Sequence, residues 1–216
     1  MKQTEPISVA PLVAVLDYGI GNLHSAHKAI EHMGADARLT ADPGLIADAD
    51  GVVLPGVGAF GACMAALRAA RLEQPALDAV ASGRPFLGIC VGMQMLFSRS
   101  EESAGAEGLG VISGTIRWIP PGVKRPQMQW NLLDRRGDPE LLRLAPDPAW
   151  AYFVHSYAAD TDDAIVIATC DYGGPVVAAV EQGSVWATQF HPEKSSRTGL
   201  AVLQAFVARA AAAVPA

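Results

Sequence analysis

The sequence predicts an α/β fold, a three-layer sandwich with a mostly parallel central sheet. In the first half of the chain, short apolar runs of strand length alternate with segments whose apolar residues recur at helical spacing. This alternation is typical of a parallel sheet that helices cover on both faces. After residue 105 the chain changes to short runs rich in β-forming residues, which Gly, Pro and Asp separate. We therefore expect the second half to add strands to the same sandwich.

The first half is predicted to hold three strands and four helices. The expected strands cover residues 12–16, 51–54 and 85–89. A helix capped by Asn22 follows the first strand and ends at Gly34. The other expected helices cover residues 60–70, 75–82 and 92–97, and the last of them follows its strand almost without a loop.

The second half is predicted to hold five short strands and a terminal helix. The expected strands cover residues 111–119, 151–157, 164–170, 176–180 and 185–190, and the helix covers residues 197–213. Neither a repeat nor a long linker divides the chain. We therefore expect a single domain over residues 1–216, with loosely ordered tails at about 1–8 and 212–216.

Composition and charge exclude several classes of function. The 216 residues carry a net charge of −6 without a long basic run, so a nucleic-acid partner is not expected. Neither a secretory signal nor an apolar stretch of about 18 residues is evident, so no membrane partner is expected. The three cysteines lack C-x-x-C spacing, which argues against a disulfide framework and a structural zinc site. The expected setting is the cytoplasm.

A cysteine stands at a sharp turn between the third strand and its helix. Gly88-Ile89-Cys90-Val91-Gly92 is a G-x-S-x-G-like arrangement with sulfur in place of oxygen. The glycines let neighbouring backbone approach closely, and such a turn projects its central side chain above the edge of the sheet. Cys90 is therefore a candidate nucleophile. Cys63, on a helix stripe, and Cys170, at a strand end, are interpreted as buried structural thiols.

A histidine at the end of the last strand is the candidate base. His191 follows the apolar run that starts at residue 185, at the strand end where parallel α/β sheets place their chemistry. Glu193 can accept a hydrogen bond from one imidazole nitrogen, which leaves the other nitrogen free to take a proton from a thiol. His-Pro-Glu alone is a common surface turn, but together with Cys90 it predicts a catalytic triad.

A glycine-rich segment after the second strand supplies candidate oxyanion donors. Pro55-Gly56-Val57-Gly58 presents backbone amides without side-chain cover, and the Val91 amide is the natural second donor. Residues 56–61 also spell G-x-G-x-x-G. A dinucleotide site needs an acidic residue at the end of the next strand, and that strand ends at Cys90 instead. No cofactor is therefore expected.

A possible metal-binding face lies on the first helix. His24, His27 and Glu31 share one face because they are spaced by three and four residues. Such a face is more often a solvated polar stripe than a metal site, so no metal is expected.

In combination, these motifs resemble the class I, or triad, glutamine amidotransferases, whose α/β sandwich is the expected fold. Within that family, the chain is similar to the glutaminases that serve imidazole glycerol phosphate synthases. The resemblance spans residues 17–195. It rests on segments in this order: Asp17-Tyr18-Gly19-Ile20-Gly21-Asn22-Leu23, Pro55-Gly56-Val57-Gly58, Gly88-Ile89-Cys90-Val91-Gly92-Met93-Gln94, Trp130-Asn131, His155-Ser156-Tyr157 and Gln189-Phe190-His191-Pro192-Glu193-Lys194-Ser195.

The resemblance implies a role for each group of site residues. Cys90 would attack the side-chain amide of glutamine and form a thioester, His191 would move the proton, and Glu193 would orient His191. The oxyanion site would consist of Gly56, Val57, Gly58 and Val91. The glutamine substrate would be held by Gln94, His155, Ser156 and Tyr157. The products would be glutamate and ammonia.

The resemblance also implies a partner. Ammonia would pass to a separate (β/α)₈-barrel cyclase subunit in a heterodimer. That cyclase forms imidazole glycerol phosphate and an aminoimidazole carboxamide ribotide (AICAR) from a formimino-ribulotide intermediate of L-histidine biosynthesis. The residues that would lie toward this partner are Asn22, Trp130, Asn131 and Lys194.

One segment departs from the pattern of the family. The family commonly reads Pro-His-Met-Gly-Trp-Asn where this chain has Pro126-Gln127-Met128-Gln129-Trp130-Asn131, so the backbone there has less freedom. Three alternative functions stay open. The chain could serve another synthase, such as one that makes a pyridoxal cofactor or anthranilate. It could be a stand-alone cysteine hydrolase of γ-glutamyl compounds, or a non-catalytic α/β module.

Overall fold

The fold is built around an eight-stranded mixed sheet. A computed structural model describes residues 10–213 of the chain. Its strands are β1 (Leu12–Leu16), β2 (Asp36–Thr40), β3 (Gly51–Gly56), β4 (Phe86–Cys90), β5 (Phe97–Ser100), β6 (Ile112–Trp118), β7 (Gln127–Leu132), β8 (Asp134–Arg135), β9 (Trp150–His155), β10 (Tyr157–Asp160), β11 (Val166–Asp171), β12 (Pro175–Gln182) and β13 (Val185–Thr188). Its helices are α1 (Leu23–His32), α2 (Pro43–Asp48), α3 (Phe60–Ala69), α4 (Glu73–Ala81), α5 (Val91–Met95) and α6 (Ser196–Ala213).

The central sheet has a parallel part and an antiparallel extension. Its strand order is β2-β1-β3-β4-β13-β12-β11-β8. The first five strands in this order run parallel, and each of the last three is antiparallel to its neighbour. Two smaller sheets, β10-β6-β5 and β7-β9, flank the extension. The expectation of a mostly parallel sheet with extra strands from the second half is confirmed.

Helices cover both faces of the parallel part. The chain moves in opposite directions along the sheet from β1 to β2 and from β2 to β3, so right-handed crossovers place α1 and α2 on opposite faces. α6 contacts α1, and α4 contacts α2. β3 and β4 lie between these layers and are buried along their whole length, as expected for parallel strands covered on both sides. The three-layer sandwich is confirmed.

Most boundaries agree with the sequence analysis within two residues. β1 has the expected bounds, and the expected strand at 85–89 runs from Phe86 to Cys90. Two expectations were wrong. Residues 151–157 form two strands, because β9 pairs with β7 while β10 pairs with β6, and Ser156 separates them. The helix expected at 92–97 is shorter, because α5 ends at Met95 and β5 already begins at Phe97.

The elements that the sequence analysis missed lack a clear apolar period. β2 lies at the edge of the sheet and alternates the exposed charges of Asp36 and Arg38 with buried Ala37. Charged residues on edge strands discourage pairing with other chains, and they also weaken the strand signal. β7 exposes its apolar residues and buries Gln127, which is the reverse of the usual pattern.

The two expected tails lie mostly outside the described residues. Residues 1–8 and 214–216 fall outside, whereas residues 212 and 213 continue α6. Between residues 10 and 213, none of the helices combines the length and apolarity needed to cross a bilayer.

Candidate active site

Three neighbouring strands of the parallel sheet end at the candidate site. β3, β4 and β13 are adjacent and parallel, so their carboxyl ends share one edge. Gly56 at the end of β3 is the register partner of Cys90 at the end of β4. Thr188, the last residue of β13, pairs with Ile89 and leads directly to His191. The structure thus brings the predicted oxyanion segment, nucleophile and base to one place.

The turn at Cys90 has the tight geometry that the sequence predicts. Cys90 adopts φ 55° and ψ −111°, a left-handed conformation that is strained for a residue with a Cβ. α5 begins at the next residue, Val91, so no loop separates strand from helix. A Cβ on Gly92 would overlap the carbonyl of Leu54 in the neighbouring strand. Glycine at position 92 therefore allows the turn to lie directly against β3.

His191 and Glu193 form a buried ion pair. The Nδ1 of His191 lies 2.8 Å from Oε1 of Glu193, and the two side chains are 3% and 2% exposed. The backbone holds this turn in place, since the His191 amide donates to the carbonyl of Tyr152 at 3.1 Å. The Ser195 hydroxyl donates to the His191 carbonyl at 2.6 Å. With Nδ1 donating to the carboxylate, Nε2 is the ring nitrogen left for proton transfer.

The charges around His191 favour its protonated form. Burial alone lowers the pKa of His191. The hydrogen bonds and charges of Cys90 and Glu193 outweigh burial and raise the pKa of His191 to about 10. The imidazolium form of His191 is therefore favoured beside Cys90 and Glu193, and a cationic neighbour of this kind is one way in which a protein activates a cysteine nucleophile.

A fully buried glutamine connects the nucleophile to the substrate side of the site. Nε2 of Gln189 donates to Sγ of Cys90 at 3.7 Å. Oε1 of Gln189 accepts a 3.0 Å hydrogen bond from Nε2 of Gln94, which also donates to the Tyr157 carbonyl at 3.1 Å. The sequence analysis quoted Gln189 within a motif but gave it no role. Its signal would have been a polar residue placed in an apolar strand next to the candidate base.

The glycine-rich segment lies against the nucleophile turn, and the helix after it does not present a phosphate site. A Cβ on Gly56 would lie 2.7 Å from the amide nitrogen of Gly92. The first amides of α3 are already bound: Phe60 donates to Oε2 of Glu102 at 2.6 Å, and Gly61 donates to Oγ of Ser103 at 3.1 Å. A carboxylate thus occupies the place that a pyrophosphate would need.

A cavity of about 290 Å³ opens above Cys90 and His191. Its volume is at the small end of the range for ligand pockets, which suits a molecule the size of an amino acid. The cavity is lined by residues that the sequence analysis assigned to the site, namely Val57, Gly58, Cys90, Val91, Gln94, His155, Ser156, Tyr157, His191 and Lys194. The lining also includes Glu102, Pro126 and Val154, which were not predicted as site residues. Glu102 follows β5 and Val154 lies within β9, both outside the quoted motifs, whereas Pro126 was quoted only as part of a segment that departs from the family pattern.

A second histidine faces the same cavity in the opposite charge state. His155 is buried, and its Nδ1 lies 2.7 Å from the Tyr157 carbonyl, which can only accept a hydrogen bond. Burial, only partly offset by this bond, lowers the pKa of His155 to about 4. Nε2 of His155 has no hydrogen-bond partner among the residues that the structure describes. His155 is therefore neutral at pH 7.

The residues expected to face a partner lie in different surroundings. Asn22 lies at the start of α1, and its Nδ2 donates to Oε1 of Glu193 at 3.3 Å, so it contacts a residue of the predicted triad. Trp130 is exposed on β7, and Lys194 is exposed at the mouth of the cavity. Asn131 points to the other side of β7, where its Nδ2 donates to the Asp171 carbonyl at 2.9 Å.

The other cysteines and the candidate metal face have structural contacts. Cys63 and Cys170 are both buried. Nε2 of His27 lies 3.0 Å from the Ala37 carbonyl, which connects α1 to β2. Among residues 10–213, no group of three or more potential ligands is arranged to hold a metal ion.

Comparison with known proteins places this geometry in context. The family model described as glutamine amidotransferase class-I matches residues 14–210. An "Imidazole glycerol phosphate synthase subunit HisH" from Methanothermobacter thermautotrophicus is 49% identical over 196 residues, which cover 91% of this chain and 98% of the relative. The protein of the same name from Deinococcus radiodurans is 47% identical over 207 residues and covers 94% and 96% of the two chains.

Solved structures show the same fold at lower identity. A crystal structure of a glutamine amidotransferase superposes with a TM-score of 0.73 at 20% identity and covers 93% of this chain and 98% of its own. The structure of PurLQS from Thermotoga maritima superposes with a TM-score of 0.70 at 18% identity and covers 93% and 99%. At these identities the likeness concerns the fold.

Proposed function

The chain belongs to the class I glutamine amidotransferase family, and we propose that it is the glutaminase subunit of an imidazole glycerol phosphate synthase. In this role it hydrolyses glutamine to glutamate and ammonia for histidine biosynthesis. The observation that carries the proposal is that Cys90 and His191 line one small cavity while Glu193 pairs with Nδ1 of His191. The relatives with this synthase name match over nearly their whole length, which supports the assignment.

In the first step, the Cys90 thiolate attacks the carbonyl carbon of the glutamine side-chain amide. A carbon–sulfur bond forms and the carbonyl oxygen takes the negative charge, which the Val57 and Val91 amides stabilise. The proton on His191 then passes to the amide nitrogen, the carbon–nitrogen bond breaks, and ammonia leaves. His191 gives up its proton more easily at this stage, because the Cys90 sulfur is now bonded to the substrate carbon and no longer carries a negative charge.

In the second step, water hydrolyses the γ-glutamyl thioester. His191, now neutral, takes a proton from water while the oxygen attacks the thioester carbonyl. The carbon–sulfur bond then breaks, glutamate leaves, and the Cys90 thiolate and the His191 imidazolium are restored. Glu193 holds Nδ1 of His191 throughout, so Nε2 faces the reacting atoms in both steps.

The walls of the cavity fit the charged end of glutamine. Glu102 lines the cavity, and its Oε2 is held by the Phe60 amide, which fixes the carboxylate. We assign its other oxygen to the α-ammonium group of the substrate, because a carboxylate is the natural partner of an ammonium ion. Gln94 and the backbone at Ser156 and Tyr157 provide polar groups for the rest of the molecule.

A partner subunit is part of the proposal, and an exposed apolar ribbon is its proposed docking face. Met128, Trp130 and Leu132 on β7 are 62%, 46% and 42% exposed, and Trp150 on β9, the register partner of Leu132, is 49% exposed. Contiguous exposed apolar surface of this kind is typical of protein interfaces. We propose that the ribbon binds a (β/α)₈-barrel cyclase and that ammonia passes directly between the subunits.

The activity is tested by glutamate release from glutamine. The purified chain is measured alone, then with the barrel cyclase and an analogue of the cyclase substrate, with Cys90→Ala as control. We expect strong stimulation by the partner that the variant lacks. Full activity without a partner would indicate a stand-alone hydrolase, and silence in every arm would contradict the proposal.

The docking face is tested by calorimetric titration with the cyclase. Trp130→Ala is expected to weaken binding at least about fivefold, since truncating a tryptophan at an interface hot spot costs more than about 1 kcal/mol. Arg38→Ala, on the edge strand β2 at the far end of the sheet, serves as the control. Equal affinity of Trp130→Ala and wild type would place the partner elsewhere.

A further inference from the structure

Two buried side chains hold the carbonyl groups on either side of the oxyanion segment. The hydroxyl of Tyr18, just after β1, donates a 2.6 Å hydrogen bond to the Pro55 carbonyl. Sγ of Cys63, in the first turn of α3, donates to the Val57 carbonyl at 3.2 Å. Tyr18 is 5% exposed and Cys63 is fully buried. Neither side chain lines the cavity, and the mechanism above uses neither.

Both groups keep the proton that they donate. Burial raises the pKa of the Tyr18 hydroxyl and of the Cys63 thiol above their ordinary values. Each is therefore a neutral donor throughout the neutral pH range. The bond from Tyr18 is buried and the bond from Cys63 is partly buried, so water competes little for either carbonyl.

The peptide between the two held carbonyls lies next to the nucleophile. A peptide unit is planar, so a hydrogen bond to its carbonyl fixes the orientation of the whole unit. Tyr18 fixes the Pro55–Gly56 unit and Cys63 fixes the Val57–Gly58 unit, which leaves the Gly56–Val57 unit between two fixed neighbours. This constraint matters because glycine at position 56 would otherwise give the segment wide conformational freedom.

We propose that Tyr18 and Cys63 are positioning residues, which hold the oxyanion segment so that the Val57 amide can face the substrate carbonyl on Cys90. The inference rests on the proposed glutaminase function and deepens it. It assigns a task to a cysteine that the sequence analysis interpreted as structural. The effect is indirect, because both side chains act through backbone carbonyls rather than on the substrate.

The test compares Tyr18→Phe and Cys63→Ala with wild type in the complex with the cyclase. We expect kcat for glutamine hydrolysis to fall about tenfold in each variant, less than the loss of a direct oxyanion donor, which costs about 10²–10³. KM for glutamine should change less than twofold, because the cavity wall is intact. Cys63→Ser, which keeps a donor at the same position, should recover most of kcat.

A matched control removes an equivalent bond elsewhere. Tyr172→Phe deletes a tyrosine hydroxyl that donates to the Lys124 carbonyl at 2.8 Å, away from the cavity. We expect this variant to match wild type in kcat and KM. Thermal unfolding of every variant shows whether each one folds, and Cys63→Ser tests the thiol position if Cys63→Ala is unstable.

A second readout separates the oxyanion segment from the nucleophile. Iodoacetamide alkylates Cys90 by displacing iodide at a saturated carbon, a reaction that forms no oxyanion. The alkylation rate of Cys90, followed by mass spectrometry of its peptide, should therefore equal the wild-type rate in Tyr18→Phe and Cys63→Ala. Unchanged kcat, or a parallel fall in kcat and alkylation, would overturn the inference in an active wild-type complex. An inactive wild-type complex would contradict the proposed function and the inference together.

Discussion

The two histidines that face the cavity are both buried, but they differ in their hydrogen-bond partners and in their favoured charge states. His191 follows β13, donates to the Glu193 carboxylate and lies beside Cys90, and its pKa is raised to about 10. His155 ends β9 and faces the Tyr157 carbonyl, and its pKa is lowered to about 4. Burial lowers the pKa of both rings and is the largest single cause in each.

The difference between the two regions comes from the partners of each ring. An anion within hydrogen-bonding distance stabilises the imidazolium by more than burial destabilises it, whereas a neutral carbonyl does not. The position of a histidine in a cavity therefore says little about its chemistry. The groups that its two nitrogens face decide whether it carries a proton to be transferred or stays neutral.

Replacing the sulfur of Cys90 removes the strongest partner of His191 and should have the largest effect on glutamine-dependent turnover. Cys90→Ser should lower glutamine-dependent turnover at least about 10³-fold, because a serine hydroxyl is a far weaker nucleophile without a base matched to it. The pKa of His191 should fall toward that of His155, which NMR titration of the ring can follow. Synthesis from added ammonia by the complex should persist. Loss of that activity too would mean that Cys90 supports the fold or the interface.

Removing the charge of the Glu193 carboxylate should have the next largest effect on kcat. Glu193→Gln keeps an acceptor oxygen for Nδ1 but removes its charge, so kcat should fall about 10²-fold and the pKa of His191 should fall with it. The pH dependence of kcat in the complex measures both changes. A variant with unchanged pH dependence would show that Glu193 does not set the charge state of His191.

Removing the Gln189 amide that donates to the Cys90 sulfur should have a smaller effect on kcat. Gln189→Leu removes the 3.7 Å contact to Cys90, so the thiolate loses one donor and kcat should fall about tenfold. Unlike Tyr18→Phe, this variant should also slow alkylation of Cys90 at pH 7. Wild-type alkylation in Gln189→Leu would mean that the contact contributes nothing to thiolate formation.

The smallest expected effect concerns His155, the neutral histidine, which should make the free energy of unfolding depend on pH in the acidic range. Because its folded pKa is lowered, His155 contributes stability that is present above pH 6.5 and is lost as the pH falls toward 4. Between pH 6.5 and 5.5 the loss should be about 1 kcal/mol. His155→Gln, whose amide can still donate to the Tyr157 carbonyl, should show a shallower decline in urea unfolding. His191 has the opposite sign, since its contribution is fully present below pH 6.5 and is lost as the pH rises from there to about 10.

Much of this site could be predicted from the sequence because its parts are local. The turn at Cys90 needs glycine at position 92, and the pair His191–Glu193 is formed by residues two positions apart. The three strands that end at the site are buried apolar runs, which are the clearest strand signals in a parallel sheet.

The parts that could not be predicted depend on residues far apart in the chain. Glu102 reaches the cavity because it caps α3 from a loop 42 positions away. Gln189 meets Cys90 across 99 positions. β7 was missed because its apolar side chains face outward, and the sequence pattern does not say which face a neighbouring layer covers.

The fold class, the tight turn at Cys90 and the pairing of His191 with Glu193 could be predicted from the sequence alone, because they follow from short-range spacing and from steric rules for glycine. The favoured charge state of each histidine, the hydrogen bonds from Tyr18 and Cys63 to the carbonyls of Pro55 and Val57, and the exposure of the apolar residues of β7 became evident only in the folded chain. These properties depend on distances between groups that are remote in sequence. A pKa or an orientation is set by what lies within a few ångströms in space, and only the folded chain establishes that.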